Sequence, residues 1–239
     1  MMRSQEKDKA KDIAVLMMAG RGERLFSSIK VKKQFFLLDG KELFLHSLES
    51  LCLSKCFQEI LLVISKEDEE HVWQSISDDK IVNKRKIHIV HGGETRNKSV
   101  ENALFSLKKK RGNFNVLIHD AARPFLTVPL IQNIMAKTYR ADALTYCLPL
   151  ADSLFKEDGK GIVYLDRKNL YQVQTPQVFD FRKILAVFEE GYDPECTDEF
   201  SKAVSAGLRT LTLLGDLSLF KLTGKEDLQL LRKLSVFVE

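Results

Sequence analysis

Two glycines, an arginine and a lysine near the amino terminus have the types and spacing to hold a polyphosphate. They belong to Met18-Ala19-Gly20-Arg21-Gly22-Glu23-Arg24-Leu25, directly after the apolar run Ile13 to Met17 and shortly before Lys32-Lys33-Gln34. Gly20 and Gly22 let backbone N–H groups approach an anion closely, while Arg24 and Lys33 supply the charge that draws such an anion out of water. A Walker loop would end in Gly-Lys-Ser/Thr, and a dinucleotide fingerprint would carry a third glycine where Leu25 stands; neither is present. The expected ligand is a nucleoside triphosphate.

Two further constellations fit the same chemistry. In His119-Asp120-Ala121-Ala122-Arg123-Pro124, Asp120 offers an acceptor for ribose, base or metal and Arg123 offers a fork for phosphate. Alone, that pair reads equally well as a strand-end cap beside a surface charge. The run Gly92-Gly93-Glu94-Thr95-Arg96-x-x-Ser99-Val100 adds a second glycine turn at a helix start, suited to reading a base through backbone groups and the Ser99 hydroxyl.

The elements that must carry these residues follow from the apolar pattern. Short β-like runs at Ile13 to Met17, Ile60 to Ile64, Ile87 to Val90, Val116 to Ile118 and Ala143 to Leu148 alternate with helix-patterned stretches. Such alternation predicts an α/β fold with a mainly parallel central sheet covered on both faces. Ligands of open α/β sheets gather beyond the carboxyl ends of strands, where Gly20, Gly92-Gly93 and Asp120 all fall. From Ala151 to Leu165 the pattern changes to two short strands around Glu157-Asp158-Gly159-Lys160-Gly161, a β-hairpin arm. A lone hairpin is marginal in water, so a projecting arm predicts packing on a second subunit and hence a homodimer.

Toward the carboxyl terminus, Thr197 and Thr223 read as helix N-caps, the latter in the capping box Thr223-x-x-Glu226. Strands are expected at Leu211 to Leu214 and Leu219 to Leu222, the second placing Lys221 at a strand end. The 239 residues are read as one domain spanning 1–239, with the arm at about 151–168.

Composition narrows the partners. A net charge of +4 is far from the one-faced basicity of a nucleic-acid binder, and the basic cluster Lys108 to Arg111 suits the C-terminal end of a helix. Cys52, Cys56, Cys147 and Cys196 lack metal-ribbon spacing and read as reduced, buried thiols. The five histidines, His46, His71, His88, His91 and His119, read as packing or surface residues, since no metal-ligand spacing joins them. Trp73 and the phenylalanines read as core. Residues Met1 to Asp12 have no apolar signal segment, and no apolar run approaches about 20 residues, so a cytoplasmic protein without membrane association is expected.

Taken together in order, Ala19-Gly20-x-Gly22-x-Arg24, Lys33-Gln34, Gly92-Gly93-x-x-Arg96-x-x-Ser99-Val100, His119 to Pro124, Asp166-Arg167, Thr175-Pro176-Gln177, Thr197-Asp198-Glu199 and Lys221-x-Thr223-x-x-Glu226-Asp227-Leu228 resemble the 2-C-methyl-D-erythritol 4-phosphate cytidylyltransferase family nearly end to end. The resemblance implies a Rossmann-like nucleotidyltransferase fold and transfer of a cytidylyl group from CTP to the methylerythritol phosphate, with Mg²⁺ carried on the CTP phosphates. It also implies that Arg24 and Lys33 stabilise the transition state, that backbone from Met18, Ala19 and Gly20 to Gly22 holds the triphosphate, and that Arg167 and Lys221 position the attacking phosphate. Gly93 and Ser99 would recognise cytosine, Asp120 and Ala121 would border the nucleotide, and Arg123, Ser153 and Thr175 would line the alcohol-phosphate pocket. In the family Ser153 and Arg167 lie on the dimer arm and serve the neighbouring subunit's site.

Charge arithmetic agrees with that implication. A triphosphate near −4 and a phosphate monoester near −2 need several cations to meet. The attacking group, with a second pKa of about 6, is already an oxyanion at neutral pH, so no general base or protein nucleophile is required. The chain departs from the family pattern at three places. Lys32 replaces the usual proline in a loop two residues longer, so Lys30, Lys32 and Lys33 compete for the phosphate role, of which Lys33 is the choice here; Met18 replaces alanine; and Ser153 replaces threonine. Two other readings remain: a cytidylyltransferase acting on ribitol 5-phosphate, and a catalytically silent nucleotide-binding protein.

Overall fold

In a computed structural model, the structure describes residues 12–20, 32–157, 159, 161–191, 196–223 and 227. Gly22, Arg24, Lys30 and the capping box to Glu226 lie outside the described residues. Five strands expected from the sequence are present as β1 (Asp12–Met17), β4 (Phe57–Ile64), β5 (Ile87–His91), β6 (Asn115–Asp120) and β7 (Ala143–Pro149). With β10 (Tyr171–Asp180) and β11 (Thr210–Leu214) they form one sheet in the order β11-β7-β10-β6-β1-β4-β5. β1 runs parallel to β4 and β6, β4 to β5, and β11 to β7, whereas β10 is antiparallel to both its neighbours. The fold is therefore α/β with a mainly parallel sheet.

Side chains alternate across this sheet and build a core on each face. From β1, Ala14 and Leu16 enter one cluster while Ile13, Val15 and Met17 enter the other; from β4, Ile60, Leu62 and Ile64 oppose Leu61 and Val63. The first face is covered by α1 (Leu43–Leu53), α2 (Glu69–Asp78) and α4 (Val128–Met135), the second by α3 (Arg96–Ser106), α5 (Phe181–Glu189) and α6 (Glu199–Ser205). Strands buried on both faces read as continuous apolar runs, which is why β1 and β4 carry almost no polar residue.

A third, small cluster matters for the site. Leu38, Leu43, Phe125 and Leu222 pack together, with Phe36 and Phe220 against them. Leu38 belongs to the hairpin of β2 (Leu37–Leu38) and β3 (Lys41–Glu42), turned by Asp39 and Gly40 at φ 51° and 78°. A two-residue Asp-Gly turn with both φ positive matches the twist of the flanking strands. This cluster joins the segment after Lys33 to the segment around Lys221.

The expected strand at Leu219 to Leu222 is absent. A 3₁₀ turn spans Leu217–Leu219, and the chain then runs extended with Leu222 N–H donating to Ala122 O at 2.8 Å. The buried pair Leu219 and Leu222 is fixed by packing under the cleft rather than by a sheet edge. The α6 cap is Asp198, not Thr197. Its carboxylate accepts the Ser201 N–H at 2.8 Å, and Ser201 Oγ accepts the Asp198 N–H at 3.2 Å, a reciprocal box. The hairpin arm is present as β8 (Leu154–Glu157) and β9 (Ile162–Leu165), pairing Phe155 with Tyr164. None of the four cysteines is in a disulfide, and among the described residues no helix is long and apolar enough to cross a membrane.

Candidate active site

The sheet order places a switch in winding direction between β1 and β6, and the ends of these two strands open into a cleft of about 410 Å³. Met17 and Asp120 are in register at the two strand ends. Three backbone bonds then set the rim: Met18 N to Val63 O at 2.9 Å, Gly92 N to Ile64 O at 2.8 Å and Ala121 N to Met17 O at 3.1 Å. The strands end level with one another, so the loops after β1, β5 and β6 converge.

Gly92 is required by close approach. A Cβ there would lie 2.4 Å from Ala19 Cβ and 2.8 Å from Ser99 Oγ, so the two glycine-bearing turns touch through this position. Thr95 caps α3 by accepting the Lys98 N–H at 3.1 Å, and Ser99 Oγ accepts the Gly93 N–H at 3.0 Å while donating to Thr95 O at 2.9 Å. Ser99 thus holds the shape of the turn that the sequence assigned to base reading. At Gly20 a Cβ would meet nothing within 4 Å, leaving the backbone open toward the cleft.

Charge in the cleft centres on Asp120. Its buried carboxylate receives Arg96 Nη2 at 3.1 Å and Nε at 3.2 Å on one oxygen and Lys221 Nζ at 2.6 Å on the other. Burial opposes this charge, but Arg96 and Lys221 outweigh it and hold the carboxyl far below the usual carboxylate range. Arg96 Nη1 also donates to Glu199 Oε1 at 2.6 Å, and the 0 % exposed Glu199 is pushed up by burial, with Arg96 opposing. Motif spacing alone gives Arg96 no task of its own. Its second carboxylate partner lies 103 residues away, beyond the reach of local spacing.

Beneath the strand end runs a polar relay. Thr175 Oγ1 accepts the Asp120 N–H at 3.2 Å and lies 3.1 Å from His119 Nδ1, while His119 Nε2 is 3.1 Å from Arg123 O. A proton on Nε2 satisfies all three contacts, with the threonine hydroxyl donating to Nδ1. Burial lowers His119 to about 4, so the ring is neutral at physiological pH and acts as packing, as expected from the sequence. Arg123 Nη1 donates to Leu219 O, and its buried Nε finds no partner among the described residues.

Of the residues expected in the site, Met18, Ala19, Gly20, Lys33, Gly93, Ser99, Asp120, Ala121 and Lys221 line this one cleft. Thr175 is buried under it and Arg123 stands behind Asp120 through the relay. Ser153 and Arg167 are exposed at the base of the arm, where Arg167 donates to Ala151 O. Ser65, Lys66 and Glu67 line the cleft without any signal in the sequence, and Gln34, Glu94 and Thr95 line it from motifs that gave them no role of their own. No group of three or more His, Cys, Asp or Glu among the described residues is placed to hold a metal ion.

A mainly parallel sheet with a glycine turn at its switch point, a second glycine turn beside it and Lys33 and Lys221 lining the cleft between them defines an α/β protein with a cleft suited to a phosphorylated ligand. Comparison with known proteins narrows this class. The sequence profile of IspD, 2-C-methyl-D-erythritol 4-phosphate cytidylyltransferase, matches residues 13–234, and the chain belongs to that family. It is 36% identical over 221 residues to the 2-C-methyl-D-erythritol 4-phosphate cytidylyltransferase of Thermotoga neapolitana, covering 92% of this chain and 95% of that protein. It is also 36% identical over 220 residues to a bifunctional enzyme IspD/IspF of Rhizobium leguminosarum, of which it spans 53%. Among solved structures, a 4-diphosphocytidyl-2C-methyl-D-erythritol synthase aligns with TM-score 0.78 at 26% identity, covering 95% of this chain and 99% of that one. The synthase of Anaerococcus prevotii shares the fold, with TM-score 0.79 at 23% identity over 96% of this chain and 100% of that one.

Proposed function

We infer that the cleft transfers a cytidylyl group from CTP to 2-C-methyl-D-erythritol 4-phosphate, releasing pyrophosphate and giving the CDP-linked methylerythritol of the non-mevalonate isoprenoid pathway. The observation that carries the reading is the convergence of the β1, β5 and β6 ends on a cleft holding both Lys33 and Lys221. The open Gly20 backbone would receive the triphosphate, and the Gly92-Gly93 turn, rigid through Ser99, would face the base.

Mechanistically, the residues position and neutralise. Lys33, with Arg24 as the resemblance assigns it, would meet charge developing at the α-phosphate, where a fixed donor acts without reorganisation. Lys221 is held by Asp120, which Arg96 in turn holds, so its ammonium stands at a defined point where the attacking phosphate would arrive. Arg123, with one buried guanidinium nitrogen unpaired, suits a second phosphate. The attacker is already an oxyanion, so the neutral His119 has no proton to move and serves only to fix the Thr175 and Asp120 backbone.

Mg²⁺ neutralises triphosphate charge in such reactions. Both Asp120 oxygens are engaged by Arg96 and Lys221, so the residues present fit a metal carried by the nucleotide more closely than one held by the chain.

We also propose a cytoplasmic homodimer, residues 1–239 acting as one unit. The arm exposes Phe155, Ile162, Val163 and Tyr164, the last 73% exposed, an apolar surface that a second copy would cover. Ser153 and Arg167 at the arm's base would then serve the partner's cleft. The substrate test is pyrophosphate release from CTP and Mg²⁺ with methylerythritol phosphate or ribitol 5-phosphate in parallel. Turnover with the first is the expected result; turnover with ribitol 5-phosphate alone would reverse the assignment, and no turnover with either would favour a silent binder.

A further inference from the structure

We infer that Lys32 is a positioning residue for this reaction: its ion pair with Asp68 and Glu67 pins the segment entering Lys33 to the rim of the cleft, so that Lys33 and not Lys32 faces the nucleotide phosphates. The inference rests on the functional reading above. Lys32 Nζ lies 2.7 Å from both oxygens of Asp68 and 2.8 Å from Glu67 Oε1. The Lys32 side chain is only 17% exposed and that of Asp68 9%. A carboxylate so buried needs its partner, so turning Lys32 toward a phosphate would strand Asp68.

Backbone geometry points the same way. Lys32 has φ −57° and ψ 139°, and its carbonyl accepts the Phe35 N–H at 2.9 Å to start the 3₁₀ turn Lys33–Phe35. That φ is the value a proline ring imposes. Lysine has no ring to hold it, and the clamp on Asp68 supplies the restraint. Lys33 and Gln34 line the cleft, whereas Lys32 does not.

Asp68 ends the 3₁₀ turn Lys66–Asp68 that follows β4, and Ser65 at the head of that turn donates through Oγ to Ala19 O at 3.3 Å. One four-residue stretch, Ser65 to Asp68, therefore fastens the chain on both sides of 21–31: at Ala19 before it and at Lys32 after it. Burial disfavours the Lys32 charge, but Asp68 and Glu67 outweigh it and raise its hold on the proton.

The test is a mutant cycle read as kcat and KM for CTP by pyrophosphate release, with circular dichroism melting of each variant: Lys32→Ala, Asp68→Asn, the double variant and Lys32→Pro. A misplaced Lys33 lowers kcat more than it raises KM, so each single change is expected to cost about tenfold in kcat/KM, mostly in kcat. The double variant should fall no further than the worse single one, and Lys32→Pro, which restores φ without a charge, should keep kcat within about threefold of wild type while melting below it, since Asp68 is left without its lysine. Additive losses, an unaffected Asp68→Asn beside an impaired Lys32→Ala, an unaffected Lys32→Ala, or a Lys32→Pro as poor as Lys32→Ala would each overturn the inference. If Asp68→Asn fails to fold, the alanine and proline variants at Lys32 decide alone. Wild-type protein that does not turn over at all would instead sink the functional reading.

Discussion

Arg96 and Glu199 meet at 2.6 Å and tie the start of α3 to the start of α6, while the same guanidinium grips Asp120 at the end of β6. One side chain thus links two of the three helices of the second face, α3 and α6, to the floor of the cleft. Removing it leaves the buried Glu199 without its arginine and Asp120 with Lys221 alone.

Arg96→Ala is therefore expected to destabilise by about 3 kcal/mol, the low end for breaking a buried pair because the guanidinium is about one third exposed. Glu199→Gln, which keeps an acceptor and removes a charge, should cost less than about 1 kcal/mol. Urea unfolding of both variants checks the ordering, and equal losses would show that charge at Glu199 matters as much as the link itself.

The pH dependence of stability carries a signature of His119. Its value of about 4 in the fold lies below the 6.5 of a free histidine, so its contribution is complete above 6.5 and is lost as pH falls through about 4. The full difference is on the order of 3 kcal/mol. His46 is also lowered by burial, so the comparison of wild type with His119→Gln isolates the term. Denaturant midpoints between pH 7 and 4 should fall more steeply in the wild type; parallel curves would refute a neutral buried ring.

Two glycine substitutions separate folding from binding. Gly92→Ala drives a methyl into Ala19 and Ser99 and should lower stability by about 1–3 kcal/mol while disturbing the cleft. Gly20→Ala meets no atom within 4 Å, so its melting temperature should hold while KM for CTP rises. Melting curves and CTP titrations resolve the two, and unchanged CTP affinity in Gly20→Ala would remove the phosphate from that backbone.

Lys33→Ala should lower kcat by about 10²–10³ with the fold intact, as for loss of one transition-state donor. For the arm, Arg167→Ala and Lys221→Ala subunits, each inactive alone, should regain activity on mixing. Absence of complementation in proven mixed dimers would place both residues in one subunit's site.

Much of this was legible in the sequence because local patterns caused it. β1, β5 and β6 are apolar runs that lead into Gly20, Gly92-Gly93 and Asp120, and their ends alone located the cleft. β10 escaped because Pro176 interrupts it; the strand absorbs the proline at an irregularity between Gln174 and Gln177, where the Thr175-Pro176 bond is cis. Leu219 to Leu222 misled because its apolar residues serve packing, Leu219 in the core of the first face and Leu222 against Phe125 and Leu38, as well as a strand serves a sheet. Arg96 with Glu199 and Lys32 with Asp68 are pairs made only by folding, 103 and 36 residues apart, and no spacing rule announces them.

In the proposed reaction, fixed cations in the cleft beyond β1 and β6 gather two phosphorylated molecules around an exposed Gly20 backbone. A crystal structure with CTP and Mg²⁺ tests it most directly: the triphosphate should lie on Ala19 and Gly20 within reach of Lys33, with cytosine against Gly93 and Ser99. Nucleotide bound elsewhere on the protein, with this cleft empty, would contradict the account.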